Sequence, residues 1–362
     1  MGNFHNLPAK ANDRDYPGIG VAGFLINLLD YCATETMIRN TDELIQKIQP
    51  GIVVQDNSGF ALLIREEAGK KLILDESKPL IYKKIPNPMP IHNVAAALKI
   101  KPDILIASDW PVKKLKDGDN QEKEFEKKLY YNKKWAIQTY RLLNKTPNDM
   151  KLYVAYQGYT LRQMEIFFEA ISSIQFDGVS MPIRNQSLGQ TALFLIQLWK
   201  MGVKNIHLLG VAAIFPMALA AYMARHFFEV VTMDASSYKD KAFESKYANP
   251  HNLSPVHVGE NVDIDPDVAL DCKCSACKGR SFLNYQTLPY TYRHVLLCSH
   301  NFWATENMGQ ELLKHSTTVK SLINFLKSKT DRVRKIEELH GVLSLVEALK
   351  NEDILFLEAA LG

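Results

Sequence analysis

The chain has 362 residues, of which 46% are hydrophobic and 23% are charged, and its formal net charge at pH 7 is +3. This composition is typical of a globular protein with a sizeable core, and it excludes a disordered chain. No run of about 18 uncharged apolar residues is present, so we expect no transmembrane helix.

Short apolar runs rich in β-branched residues recur along the chain and alternate with helical patterns. In chain order, the predicted strands begin at Gly51, Asp103, Leu152, Asp177, Ile206 and Glu229. Predicted helices cover 160–174, 188–202, 216–227, 305–328 and 331–351. Buried strands that alternate with helices indicate parallel pairing. A run of this length favours an α/β fold of the (β/α)8 TIM barrel type over an open doubly wound sheet.

The stretch GIGVAG at 18–23 matches the dinucleotide-binding fingerprint letter for letter. That fingerprint has to follow a strand and open a helix, whereas here it follows the polar segment NDRDYP. We therefore predict a glycine-containing turn at this position and no dinucleotide site.

Three of the five cysteines lie close together, as Cys272, Cys274 and Cys277. An odd trio cannot pair off internally into disulfides, whereas thiolates at this spacing can supply three ligands of a tetrahedral Zn²⁺ site. The spacing leaves the fourth ligand open, and the downstream candidates are His294, Cys298 and His300. We expect a closed, structural zinc site.

Polar residues follow several of the predicted strands. In a barrel enzyme the chemistry lies at the C-terminal ends of the strands, and those ends carry Asp56, Asp109, Gln157 and Asp234. Paired carboxylates suit a glycosyl transfer, because one can attack the anomeric carbon while the other moves a proton. A carboxylate and an amide can also hydrogen-bond the edge of a purine while an aromatic ring stacks on its face.

The barrel pattern, the strand-end aspartates and a cysteine cluster followed by a His-Asn pair resemble the tRNA-guanine transglycosylase superfamily, over about residues 50 to 310. Enzymes of that superfamily exchange a guanine base for a 7-deazaguanine. The resemblance implies that Asp234 is the nucleophile and that Asp56, in DNSGF, is the general acid/base. It implies zinc ligands at Cys272, Cys274, Cys277 and His300, with Cys298 as the alternative to the histidine. It implies base-binding positions at Phe60, Asp109, Gln157, Gly158, Ser180, Met181 and Gly210.

Two segments depart from the pattern of the tRNA enzymes. SMPIRNQ stands where those enzymes have Gly-Gly-Leu, and ASSYKDKAF follows Asp234 where they have a Pro-Thr-Arg run. We also expect no counterpart of the RNA-binding C-terminal domains of the archaeal enzymes. The chain is therefore most similar to the enzymes that insert 7-deazaguanines into DNA. We expect a guanine in DNA as the substrate, with tRNA as the alternative acceptor and a non-catalytic, zinc-stabilised nucleic-acid-binding subunit as the alternative function.

We expect a barrel core at 1–262, a zinc-binding subdomain at 263–310 and C-terminal helices that complete the barrel at 311–362. The expected partners are a polynucleotide and a free 7-deazaguanine, with no membrane, and a homodimer stays open. Because the thiols are reduced and no apolar signal segment is present, we expect the cytoplasm, in a bacterial or phage-infected cell.

Two basic runs, at 113–135 and 327–335, are candidate surfaces for phosphate contacts. Runs of this kind are equally often the solvent-exposed face of a helix, so both a phosphate-binding surface and an exposed helix face stay open here.

Overall fold

The computed structural model describes residues 24–115, 118–184, 186–211, 213–234, 237–259, 270 and 272–350. The GIGVAG stretch at 18–23 and the start of the 263–310 segment lie outside these residues. The chain divides into two compact units. The sheet unit comprises 203–209 and the described part of 21–185, and the helical unit comprises 186–202 and the described part of 210–362. The domain boundaries at 262 and 310 stay a prediction.

The elements are named here in chain order. The strands are β1 Phe24–Asn27, β2 Val53–Asp56, β3 Ile81–Tyr82, β4 Ile85–Pro86, β5 Ile104–Ile106, β6 Lys151–Ala155, β7 Gly178–Pro182, β8 Asn205–Leu209, β9 Val230–Met233, β10 Lys246–Ala248 and β11 Pro255–His257. The helices are α1 Leu28–Tyr31, α2 Glu35–Ile48, α3 Gly59–Glu67, α4 Pro90–Ile100, α5 Gly118–Leu143, α6 Leu161–Ala170, α7 Leu188–Lys200, α8 Ile214–His226, α9 Ser237–Phe243, α10 Phe282–Thr287, α11 Tyr290–His315, α12 Val319–Lys329 and α13 Val333–Leu349.

The sheet unit contains six strands that lie side by side in the order β1-β2-β5-β6-β7-β8. Every neighbouring pair in this order is parallel. Spatial order thus follows chain order, as in a TIM-like α/β fold, and the predicted α/β class is confirmed. β1 stands at the edge of this order, so the described strands do not close into a complete barrel.

Strand alternation gives the sheet two different faces. Gln55 of β2 donates its side-chain amide to Asn93 of α4 at 2.8 and 2.9 Å, so its face of the sheet packs on that helix. Asp56, the next residue, belongs to the opposite face. The strand register places Ser180 of β7 on the same face as Asp56.

The helical unit is built around α11, which packs against α8 and α9, while α13 packs against α7 and α12. Helix starts follow the usual capping chemistry: the Thr318 hydroxyl accepts from the Ser321 N–H at the start of α12. After the cysteine cluster the described residues form helices only, α10 to α13, as the sequence predicts. None of the helices in the described part of the chain combines the length and apolar character needed to cross a bilayer.

Candidate active site and metal centre

Asp56 ends β2 and is held by donors from two directions. The Asn27 side-chain amide, from the neighbouring strand β1, donates to Asp56 Oδ2 at 3.2 Å. The backbone N–H of Ser58 donates to the same oxygen at 3.2 Å. Ser58 has a left-handed backbone (φ 65°), which lets the chain turn sharply from β2 into α3. The carboxylate is thereby fixed at the C-terminal edge of the sheet.

Asn57 links the loop after β2 to the loop after β5. Its buried amide donates to Asp109 Oδ1 at 2.6 Å and to the Ala107 carbonyl at 2.8 Å. Its own oxygen accepts from the Gly59 N–H at 2.6 Å. A Cβ at Gly59 would lie 2.5 Å from the Asp109 carbonyl oxygen, so this close approach requires glycine. Asn57 was not among the predicted site residues, although its side chain helps to orient the Asp109 carboxylate.

Gln157, in the loop after β6, binds the other oxygen of the same carboxylate. Its Nε2 donates to Asp109 Oδ2 at 2.6 Å, and both residues are buried. Gly158 follows it and lies against the Tyr156 ring. The C-terminal ends of three adjacent strands thus bring together two carboxylates and two amides, as Asp56, Asn57, Asp109 and Gln157.

Burial raises the pKa of the Asp109 carboxyl to about 7. Hydrogen bonds from Asn57 and Gln157 oppose this shift, and the nearby charge of Asp56 reinforces it. The group therefore titrates near neutral pH. Its ionised form offers only acceptors, whereas its protonated form also has an O–H to donate.

Side chains of α5 contact Trp110, the residue after Asp109, and so hold the loop that carries Asp109. Asn132 accepts from the Trp110 N–H at 2.7 Å and donates to the Trp110 carbonyl at 3.2 Å. Lys128 is fully buried, stands 3.3 Å from the Trp110 ring centroid and forms an ion pair with Glu66. Replacing either partner of such a buried pair would leave an uncompensated charge. These contacts position the backbone from which Asp109 projects.

The remaining predicted base-binding residues of the sheet unit have different surroundings. Phe60, in the first turn of α3, is 49% exposed, and the Arg184 guanidinium lies 5.9 Å from its ring centroid. Ser180 is fully buried, and its hydroxyl has no hydrogen-bond partner among the described residues. Met181 is also fully buried, but it points to the opposite face of β7 from Ser180.

Asp234 and Gly210 lie together in the helical unit. Asp234 directly follows β9, and its Oδ1 accepts from the Gly210 N–H at 2.8 Å. The Asp234 carbonyl accepts from the Val211 N–H at 2.8 Å. Gly210 has a φ of 82°, a left-handed conformation that favours glycine. Two consecutive backbone N–H groups therefore orient Asp234 and its carboxylate.

Four side chains in the helical unit form a metal-compatible group, Cys272, Cys274, Cys277 and His300. Their ligand atoms all lie within 4.8 Å of one another. His300 Nδ1 is 3.4, 3.5 and 3.2 Å from the three sulfur atoms in turn. A tetrahedral ion with ordinary Zn–S and Zn–N bond lengths separates sulfur from nitrogen by about 3.6 Å, so the donor set fits a four-coordinate metal.

The surroundings of His300 select the nitrogen that faces the sulfurs. Its Nε2 lies 2.7 Å from the Ala248 carbonyl, to which it donates, and this leaves the Nδ1 lone pair directed at the cysteines. The Tyr247 ring stacks on the imidazole, with centroids 3.8 Å apart and planes inclined by 6°. Asn301, the next residue, accepts from the Ala248 N–H at 2.7 Å and so fixes β10 beside the group.

Cys298 does not belong to this group. Its sulfur lies 3.6 Å from His294 Nε2 instead, because residues two apart on a helix point about 200° away from each other. Burial raises the pKa of the Cys298 thiol to about 12, so this thiol stays protonated at neutral pH.

No protein-family model matches the chain, and no curated protein matches it at a significant level.

Proposed function

We propose that the chain is a guanine transglycosylase, which exchanges a guanine in a polynucleotide, preferentially DNA, for a 7-deazaguanine. The observation that carries this proposal is the convergence of Asp56, Asp109 and Gln157 at adjacent strand ends, with Phe60 exposed on the helix that follows β2. The resemblance in sequence supports the same reaction.

The first proposed role is recognition of the guanine edge. An ionised Asp109 can accept from guanine N1–H and from the exocyclic amine, while an amide N–H of Gln157 can donate to O6. In the free protein, Asn57 and Gln157 supply the donors for this carboxylate. A bound guanine would replace the Gln157 donor and release that amide for O6. Phe60 would stack on the base, and the wall of the pocket would include Gly158 and Ser180. The Met181 side chain points to the other face of β7, so its predicted place in this wall is not retained.

The second proposed role is base exchange by two displacements. The target nucleotide leaves the stack, because its C1′ cannot be reached inside a duplex. An Asp234 oxygen then forms a bond to C1′ as the C1′–N9 bond breaks, and the departing guanine takes up a proton from Asp56. An incoming 7-deazaguanine loses its N9 proton to Asp56 and displaces the ester, which frees Asp234. Two inversions retain the configuration of the sugar.

We propose that the Cys3His group holds Zn²⁺, with Cys272, Cys274, Cys277 and His300 as ligands. A closed four-ligand site leaves no open position for substrate, so the ion would stabilise the fold and take no part in the exchange. We also propose that the complete protein is a closed (β/α)8 barrel with this zinc subdomain appended.

Two alternatives stay open to experiment. A transglycosylase acting on tRNA would share the base chemistry and differ in its acceptor. A non-catalytic zinc-stabilised subunit would have no need of two carboxylates at neighbouring strand ends, where one of them is held with a pKa of about 7.

The base-binding proposal predicts a pH-dependent affinity for free guanine. The ionised form of Asp109 accepts both guanine donors, so binding should tighten as pH rises through about 7 and should weaken about tenfold per unit below that pKa. Asp109→Asn should weaken binding by roughly 5- to 150-fold at pH 8, since a buried polar group loses its partner. The pH dependence should disappear in this variant. Titration calorimetry from pH 6 to 8 measures both effects.

Asp149→Asn is a matched control, since Asp149 is exposed on the same unit. Adenine, whose edge presents a different donor pattern, should bind poorly to every variant. Unchanged guanine affinity in Asp109→Asn, or equal affinity for adenine in the wild type, would refute the assignment.

A further inference from the structure

A groove lies on the helical unit between the end of α11 and α12. Its volume is about 660 Å³, and its lining includes Thr318, Lys320, Ser321, Asn324 and Lys329. The side chains of Lys320, Asn324 and Ser321 form no hydrogen bond or ion pair with the described residues. The groove thus presents ammonium, amide and hydroxyl donors at one surface.

The groove lies in the most basic part of the chain. Between residues 314 and 335 there are seven Lys and Arg residues and one acid, Asp331, which gives this segment a net charge of +6. Since the whole chain carries +3, the remaining residues together carry −3. Lys314 and Lys335 pair with Glu311 and Glu338, so the excess positive charge of this segment rests mainly on Lys320, Lys327, Lys329, Arg332 and Arg334. Such a field attracts polyanions to it over solvent distances.

The other basic run, at 113–135, is partly neutralised by the fold. Lys127 and Lys128 both pair with Glu66, and Lys128 is fully buried. In the groove region, Lys320, Lys327 and Lys329 have no ion-pair partner among the described residues, and Glu311, near the end of α11, is paired with Lys314 at 2.5 Å. The two basic runs look alike in the sequence, but in the structure they differ in whether their lysines are paired with acids.

The Phe325 ring, at the base of the groove, contacts two of the residues that line it. His315, the last residue of α11, stacks on Phe325 of α12 with centroids 4.3 Å apart. Lys329 Nζ lies 5.1 Å from the same ring, a distance at which a cation and a ring attract each other. Phe325 is itself buried, so its ring holds His315 and Lys329 in place. The adjacent N-terminus of α12, at Thr318, adds the favourable end of a helix dipole for an anion.

We propose that this groove binds the sugar-phosphate backbone of the polynucleotide, with Lys320 and Lys329 as the principal phosphate contacts. Phosphate oxygens are acceptors only, and the groove offers donors and positive charge without an unpaired acid among its lining residues. The proposal depends on the proposed function for the identity of the polyanion. His300 and His315 are fifteen positions apart on α11, so the groove lies about 22 Å along that helix from the metal-compatible group.

The test is the salt dependence of nucleic-acid binding. We expect the double variant Lys320→Gln, Lys329→Gln to reduce the slope of log K against log salt by about 1.8, since each phosphate contact contributes about 0.9 on duplex DNA. If the isotherms converge at 1 M salt, this slope change corresponds to about 60-fold weaker binding at 0.1 M. Fluorescence anisotropy with a labelled DNA duplex and with a tRNA measures the slope, and the two arms distinguish the polynucleotides.

Lys133→Gln, Lys134→Gln is the matched control, because it removes two exposed charges from the other basic run on α5. It should change binding by less than about twofold on the same argument. Equal effects of the two double variants, an unchanged groove variant, or no binding of either polynucleotide by the wild type would overturn the proposal. Wild-type binding that depends on Lys320 and Lys329 without any base exchange would leave the groove intact and refute the proposed function alone.

Discussion

Replacing Asp234 by asparagine is expected to abolish the protein–polynucleotide adduct that survives denaturation. An amide of nearly the same shape can still accept from the Gly210 N–H, so the turn after β9 should persist. It cannot attack C1′, and removal of a nucleophile of this kind lowers turnover by roughly 10⁴- to 10⁶-fold. The measurement is a denaturing gel of enzyme incubated with guanine-containing DNA or tRNA and no incoming base.

Asp56→Asn is the companion variant, because it removes the other proposed catalytic carboxylate. If the first displacement depends less on proton transfer than the second, adduct should accumulate in this variant. An adduct that persists in Asp234→Asn and is missing in Asp56→Asn would reverse the two roles. Absence of an adduct from the wild type on both polynucleotides would count against the transglycosylase proposal itself.

Cys272→Ala is expected to lower bound zinc from about one ion per chain and to destabilise the helical unit. Metal binding to a structural site of this type releases on the order of 10 kcal/mol, and that free energy contributes to folding. Loss of one of four ligands removes a large share of it. Elemental analysis and thermal melting, with and without a chelator, measure the two effects.

Cys298→Ala makes the same chemical change on α11, two residues before His300. Its sulfur contacts His294 and lies outside the Cys3His group, so zinc content should stay at the wild-type level. Loss of zinc from Cys298→Ala, or a wild type that contains no zinc and whose melting ignores chelators, would contradict the assignment.

The sequence predicts the parallel strands well, because each is a short apolar run with a polar turn after it. All six predicted strands are present, as β2, β5, β6, β7, β8 and β9. β1 was not predicted, since its four residues FLIN merge with the apolar residues of α1 and give no period of their own. The hairpin of β3 and β4 is two residues long on each side and has no pattern to detect.

In the candidate site, the sequence does not predict the contacts between residues that lie far apart in the chain. DNSGF identifies Asp56 as a candidate site residue, but nothing in this stretch indicates that Asn57 contacts Asp109. Its partner Asp109 is 52 residues away, and only the pairing of β2 with β5 brings the two together. The sequence could place Cys298 and His300 on opposite faces of one helix, yet it could not say which face meets the cysteines. Likewise, the burial of Lys128 depends on Glu66 and Trp110, which lie on other elements.

The most direct test of the proposed base exchange is incorporation of labelled guanine. Wild-type protein, Asp234→Asn and Asp149→Asn would each be incubated with labelled guanine and either duplex DNA or tRNA, and the polynucleotide then isolated. We predict that DNA gains label with the wild type and with Asp149→Asn, and that it gains none with Asp234→Asn. Label in tRNA alone would contradict the DNA preference, and label in neither polynucleotide would contradict the proposed base exchange.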